Sequence, residues 1–214
     1  MMKIIVATGN KDKVKEIREI LGDMEACVVT MKEAGISVGA VENGSTFLEN
    51  AIMKAKVVAA EAAKDEAWKD AIVIADDSGL VIDALNGEPG IYSARYLGHD
   101  TSYRVKNADL ISRLKGVPDQ ERGARFICAI AAVCPDGEIL TTEGVMEGRI
   151  ASEERGENGF GYDPIFYLPQ FGLSAAELAP EEKNNISHRG SALRAMRDKF
   201  ADGEKPGLYT EEDR

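Results

Sequence analysis

The sequence predicts a mixed α/β fold whose central sheet holds both parallel and antiparallel pairs, and three observations carry that expectation. Lys3 to Ala7 form a short apolar, β-branched run that gives way, past Thr8-Gly9-Asn10, to a three- and four-residue apolar period. An alanine-rich helical stretch then precedes a second apolar run at Ala71 to Ala75. Finally, Phe126 to Cys134 and Glu138 to Val145 are β-rich and flank Pro135-Asp136-Gly137, which reads as a hairpin turn. The alternation of helix and strand is too irregular for a doubly wound sheet throughout.

The elements follow in order. Val14, Ile17 and Leu21 mark one helical face, and Gly22 is its expected stop. Thr46, with Glu49 three residues on, has the form of a capping box, after which Phe47, Ala51, Ala55 and Val58 line a helix reaching about Ala63. Residues 64–70 make a polar connection into the strand at 71–75. Asp76-Asp77-Ser78-Gly79 are turn-forming types, so the strand is expected to end there and a second, Leu80 to Ala84, to run until Asn86-Gly87 breaks it. Tyr103 to Leu114 is the next helix, closed by Gly116 and Pro118. The glycine-rich stretch 156–164 should be irregular, and a helix from about Ser191 to Phe200 should end the fold. A chain of 214 residues is long enough for one well-buried domain, here expected over residues 1–200, with residues 201–214 as a polar tail.

Composition excludes several classes of function. With 44% hydrophobic and 29% charged residues and 7 prolines, the chain has a globular make-up. Its net charge of −11 argues against a surface that coats nucleic acid, so any phosphate site must be a local cationic pocket. No apolar run approaches the roughly 20 residues of a membrane helix, and the first ten residues lack a signal peptide's apolar core, so a cytoplasmic protein is expected. Three scattered cysteines suit no disulfide framework, and Cys128 reads as a core residue. Only two histidines are available for a zinc site, so a metal, if used, should be a hard one.

Five segments could carry chemistry. In ATGNKDK (7–13), Thr8 to Asp12 turn a strand into a helix whose N-terminus would attract an anion, and Lys13 adds a full positive charge. The segment lacks the P-loop pattern, and a plain strand-to-helix turn is the competing explanation. Asp76 and Asp77 either serve as ordinary turn formers or, as neighbouring acids on a rigid element, hold a divalent cation or activate water. Glu42 and Lys54 in ENGSTFLENAIMKAK (42–56) are by themselves ordinary solvated groups around a helix start. Phe160 and Tyr162 among glycines offer either base-stacking surfaces or hydrophobic anchors of a loop. Lys183, His188 and Arg189 bring donors together before the last helix, where Ser187 could be a simple cap. Together they are the parts of a nucleoside phosphate site.

TGNKDK (8–13), ENGSTFLENAIMKA (42–55), ADDSGL (75–80), PGIYSARY (89–96), GFGYDPIF (159–166) and ISHRG (186–190) stand in the order and spacing of one family. The chain resembles the Ham1/RdgB family of inosine triphosphate pyrophosphatases over about residues 2–198. The resemblance implies an α/β fold with a long mixed β-sheet flanked by helices, two lobes around a central cleft, and a homodimer. It implies hydrolysis of ITP, dITP and XTP to the monophosphate and pyrophosphate with Mg²⁺ as cofactor. Carried over, Asp77 is the general base and, with Glu42, a metal ligand. Thr8, Gly9, Asn10, Lys11, Asp12, Lys13 and Lys54 surround the phosphates, and Ser78 contacts substrate. Phe160, Gly161, Tyr162, Asp163, Lys183, His188 and Arg189 form the base and sugar pocket. Two departures stand out: many relatives have Glu-Thr-Gly where Glu42-Asn43-Gly44 stands, and Lys11-Asp12 replaces smaller turn residues. The second puts a carboxylate near bound phosphates, so Asp12 should point away.

Overall fold

The computed structural model describes residues 2–22, 24–40 and 42–202. Its elements run β1 (Met2–Val6), α1 (Lys11–Ile20), β2 (Ala26–Thr30), α2 (Phe47–Ala62), β3 (Ile72–Ile82), α3 (Tyr103–Arg113), β4 (Gly123–Val133), β5 (Ile139–Ile150), β6 (Phe166–Leu168), β7 (Leu173–Ser174), α4 (Pro180–Ile186) and α5 (His188–Asp202). The strands form one sheet in the order β2-β1-β3-β4-β5-β6-β7. β1 is parallel to both neighbours, with Ile5 opposite Val29 and Val73. Farther along, β6 is antiparallel to β5 and to β7. The mixed sheet is therefore as expected, and the expected polar tail lies outside the described residues from 203 onward.

The chain divides into two compact units. One gathers the described residues up to Asp77, Ala129–Glu143 and α5 from Ala192 onward; the other holds Ser78–Cys128 and Gly144–Ser191. In the first, α2 lays Ala51, Ala55, Val58 and Ala62 against Ile5, Ala7, Val73 and Ala75. Alanines at helical spacing let helix and sheet approach closely, which is why a face so poor in large side chains still makes a core. In the second, Leu80, Ile82, Leu110, Leu114, Phe126, Ile165, Phe166 and Leu168 pack together. Burying each such side chain stabilises by about 1.5–3 kcal/mol. Gly148 lets β5 take Phe166 at close range, since a Cβ there would sit 2.6 Å from the ring and from the Tyr167 carbonyl.

One expected turn is absent. Asp76-Asp77-Ser78-Gly79 lie inside the eleven-residue β3, which runs unbroken from Ile72 to Ile82 and stops before Ala84. Turn chemistry needs Asp and Ser side chains to bond their own backbone, whereas here the carboxylates are engaged by lysines from elsewhere in the chain. The strand ends at Ile82, earlier than the expected break, and a short 3-10 turn over Asp83–Leu85 follows, closed by Asn86-Gly87, both at positive φ (53° and 86°).

Smaller departures have similar causes. Thr46 caps α2 by accepting from the Glu49 N–H, but the Glu49 carboxylate reaches past it to the Ser45 N–H and hydroxyl. β2 escapes a sequence reading because its five residues are all half-buried on the sheet edge and offer only a Cys-Val-Val run. α4, a seven-residue helix opened by Pro180, is too short for a period to show.

The arrangement of β1 determines where function can sit. The chain leaves β1 for β2 on one side and returns to β3 on the other, which makes the end of β1 a topological switch point. Ligand sites of open α/β sheets form at such points. There Ala7 donates to the Ile74 carbonyl (2.7 Å), which sets the Thr8 turn beside Asp76.

Candidate active site

Asn10 builds the turn after β1. Its Oδ1 accepts from the Asp12 and Lys13 N–H groups (2.9 and 3.2 Å), and its own N–H donates to Thr8 Oγ1 (3.2 Å). Two donors of the first helical turn are thereby used internally, so anion binding falls to the rest of the turn. No atom lies within 4 Å of where a Gly9 Cβ would stand, which leaves open approach to that backbone. Lys11 and Asp12 are exposed. Lys13 sends its ammonium to Asp76 Oδ2 at 2.9 Å, where the carboxylate is almost wholly buried.

Successive strand side chains point to opposite faces, so Asp77 meets a different lysine. Lys54 Nζ sits 2.9 Å from Asp77 Oδ1 and 3.4 Å from Glu42 Oε1. Lys54 is thus no solvated surface group, because its spacing on α2 turns it toward β3. Asn50, one helical turn earlier on that face, donates to Asp77 Oδ2 (3.3 Å) and accepts from the Gly44 N–H (2.9 Å). A Cβ on Gly44 would lie 2.8 Å from Glu49 Cβ and 2.9 Å from Asn50 Oδ1, so this glycine lets the Glu42 segment fold onto α2. Asn50 escaped the sequence reading, although its i, i+4 relation to Lys54 was a usable signal.

Burial pushes the Asp77 carboxyl above its ordinary range, against the opposing pull of Lys54 and then Lys13, and Glu42 adds to the rise. Burial alone would lower Lys54, but Asp77, Asp76 and Glu42 together hold it above its usual value. The result is a firmly cationic lysine beside a carboxylate more basic than a free one. Two carboxylates that converge on one positive charge also form a hard oxygen donor set, which suits a magnesium ion.

In the second unit, Lys183 Nζ lies 2.7 Å from Asp163 Oδ2, both groups almost fully buried. Asp163 accepts from the Phe160 N–H (2.8 Å) and so fixes the loop. The Phe160 ring faces Lys183 Nζ at 5.0 Å and the Arg189 guanidinium at 5.8 Å. Arg189 donates to Ser78 Oγ (3.2 Å). His188 stacks on Phe126 at 4.9 Å, and Ser187 caps α5 by accepting from the Gly190 N–H. Gly159 and Gly161 both have positive φ (71° and 70°), a turn shape that glycine alone adopts without strain.

Tyr162 is a fastener rather than a stacking face. It is buried, its hydroxyl donates to the Ser93 carbonyl (2.7 Å), and its ring meets Tyr103 edge-on. Ser93 in turn accepts from the Leu80 N–H (2.9 Å), two residues past Ser78. Tyr162→Phe leaves a buried carbonyl without this donor, which costs about 1–3 kcal/mol. Steady-state kinetics should show KM rising several-fold with kcat nearly unchanged; an unchanged KM would detach this bond from the loop's role.

A sequence profile of the Ham1 family matches residues 4–199. The chain is 47% identical to a dITP/XTP pyrophosphatase of Clostridium perfringens, covering 92% of this chain and 97% of the relative. It is also 47% identical to the dITP/XTP pyrophosphatase of Bacillus subtilis, covering 92% and 96%. Among solved structures, a HAM1 protein from Coxiella burnetii superposes with a TM-score of 0.83 at 41% identity, covering 94% of this chain and all of that one. The Staphylococcus aureus Ham1 protein gives 0.81 at 40%, covering 95% and 100%. With its sheet, its cluster of Lys54 and Glu42 around the buried Asp77 and this likeness along nearly its whole length, the chain belongs to the Ham1 family.

Proposed function

We propose that the protein hydrolyses purine nucleoside triphosphates carrying hypoxanthine or xanthine, namely ITP, dITP and XTP, to the monophosphate and pyrophosphate. The observation that carries this reading is the buried Asp77 held by Lys54, with Glu42 on the same ammonium, at the switch point of the sheet. The names of the relatives point the same way.

Asp77 orients a water molecule toward the α-phosphorus and accepts its proton on a carboxylate oxygen. The proton transfer is favoured because burial has raised the basicity of that oxygen. Lys54, Lys13 and the Thr8–Gly9–Asn10 turn, with Lys11 at its edge, offset about four negative charges of the triphosphate. Glu42 and Asp77 would hold a magnesium ion, which would supply further charge neutralisation and a more acidic bound water. Ser78, next in the chain after Asp77, contacts the substrate together with Arg189.

Phe160 offers the base a ring face, and Lys183 and Arg189, both beside that ring, set the donor character of the pocket. Hypoxanthine and xanthine present a carbonyl at position 6 and satisfy such donors, whereas adenine presents an amino group and leaves two donors facing each other. A buried mismatch of that kind discriminates by about 10⁴-fold. The active assembly in this reading is a homodimer, and exposed Tyr92, Leu97 and Val105 are residues through which a second copy could pack.

Incubation with ITP and Mg²⁺ followed by product identification tests the reading. IMP with pyrophosphate is expected; IDP with inorganic phosphate would make the protein a phosphatase, and intact ITP a binder without turnover. Sedimentation at twice the chain mass is the expected result for assembly.

A further inference from the structure

A cavity of about 890 Å³ opens beside the phosphate turn and lies wholly within the first unit. Its walls are the outer face of α1 and the segment 30–39 after β2, and Thr8 and Gly9 belong to its lining. That volume falls within the roughly 300–1,000 Å³ typical of small-molecule clefts. Asp77, Glu42, Lys54 and the residues assigned to the base pocket do not line it, and it meets the phosphate turn through Thr8, Gly9 and Lys11.

Its chemistry has two parts. Val14 and Ile36 are buried, and Met31 and Val38 half-buried, which gives the cavity an apolar floor. Above the floor, Lys15 and Lys32 stand exposed on opposite walls, with Lys11 at the turn, and one carboxylate of the lining, Glu19, lies 3.9 Å from the Lys15 ammonium and offsets part of its charge. Arg18 is held by Glu33 and the Val28 carbonyl and so braces the wall. In a chain of net charge −11, lysines grouped around an apolar trough select an occupant that is anionic at one end and flat and apolar at the other.

We infer that this groove accepts the far half of a dinucleoside polyphosphate, so that the protein also cleaves such molecules. The inference rests on the function proposed above, in which the Thr8–Gly9–Asn10 turn shares in holding the triphosphate, and it takes the terminal phosphate to be the one nearest Thr8 and Gly9. Phosphates continued past the third run from that turn between Lys15 and Lys32, and the second base lies on Val14, Met31, Ile36 and Val38. The reaction is the same hydrolysis with a larger leaving group. In inosine(5′)tetraphospho(5′)adenosine, water oxygen bonds to the inosine-side α-phosphorus, and the bond from that phosphorus to the bridging oxygen breaks. Water's proton passes to Asp77, and ATP departs with the bridging oxygen, leaving IMP.

The probe is that compound with Mg²⁺, assayed beside ITP. IMP and ATP in equal amounts are expected. AMP with ITP, which the enzyme would go on to convert to IMP and pyrophosphate, would mean that the groove does not receive the adenosine half and would overturn the inference. So would an inert tetraphosphate in a preparation that turns over ITP. Failure with both substrates would instead remove the underlying reading. Lys15→Glu with Lys32→Glu, both exposed, should raise KM for the tetraphosphate at least tenfold and leave ITP kinetics within about twofold. Equal kinetics of this variant and the parent on the tetraphosphate would overturn the inference, and its ITP activity reports that it is folded.

Discussion

Asp77→Asn should lower kcat for ITP by about 10²–10⁴-fold, the range that a positioned proton acceptor contributes, with little change in secondary structure. The amide matches the carboxylate in shape, so the side chain keeps its place on β3 within reach of Asn50 and Lys54. What it loses is a basic oxygen and the negative charge that Lys54 shares with Glu42. The sign of the pH effect follows from burial. A carboxyl raised above its usual value of about 3.9 is still protonated at a pH where a free one is not and then competes with the cation, so at sub-saturating Mg²⁺ activity should fall on an acid limb displaced upward. For the same reason its contribution to stability is fully present below the ordinary value and is lost as pH rises through the raised one. The asparagine variant should show neither the limb in its residual activity nor that part of the stability profile. A variant that kept parental turnover would remove Asp77 from the chemistry.

The distance from Lys13 to Lys54 along the chain explains what a sequence can and cannot reveal here. Elements with internal periodicity were legible: α1 from Val14 and Ile17, α2 from its alanines, and the β4–β5 hairpin from Pro135-Asp136-Gly137. The interior of β3 was not, because its fate depends on partners 63 and 23 residues away. Two aspartates, a serine and a glycine read as a turn until a lysine from each of two helices engages the carboxylates. Most residues of the proposed site were visible as residue types in motifs. Asn50 and the fastening role of Tyr162 were not, because both act through bonds to groups distant in sequence.

Those lysines also indicate what the cluster is for. Charges as buried as Asp76 cost more to desolvate than an exposed ion pair returns, and similar volumes of hydrocarbon would stabilise the sheet at least as well. Function supplies a reason for the expense, since a strand fixed on both sides holds Asp77 in one orientation where a loop would not.

The same logic applies in the second unit, where Asp163→Ala should be the most damaging single change outside the Asp77–Lys54–Glu42 cluster. It removes the carboxylate 2.7 Å from the buried Lys183 ammonium and the acceptor of the Phe160 N–H. Breaking one side of a buried pair costs about 3–5 kcal/mol. In a chain of this length Tm moves by about 2–4 °C per kcal/mol, so melting should drop by roughly 6 °C or more. KM for ITP should rise with it, because the Phe160 loop loses its tether. A second variant separates these effects: Asp163→Leu with Lys183→Met removes both charges, and replacing a whole buried pair with hydrocarbon of similar volume is often neutral for stability. Its Tm should recover most of the loss while KM stays high, since no ammonium then stands over the Phe160 ring. If the double variant regained parental KM together with its Tm, Asp163 and Lys183 would be structural supports only, and the base pocket would have to be sought elsewhere.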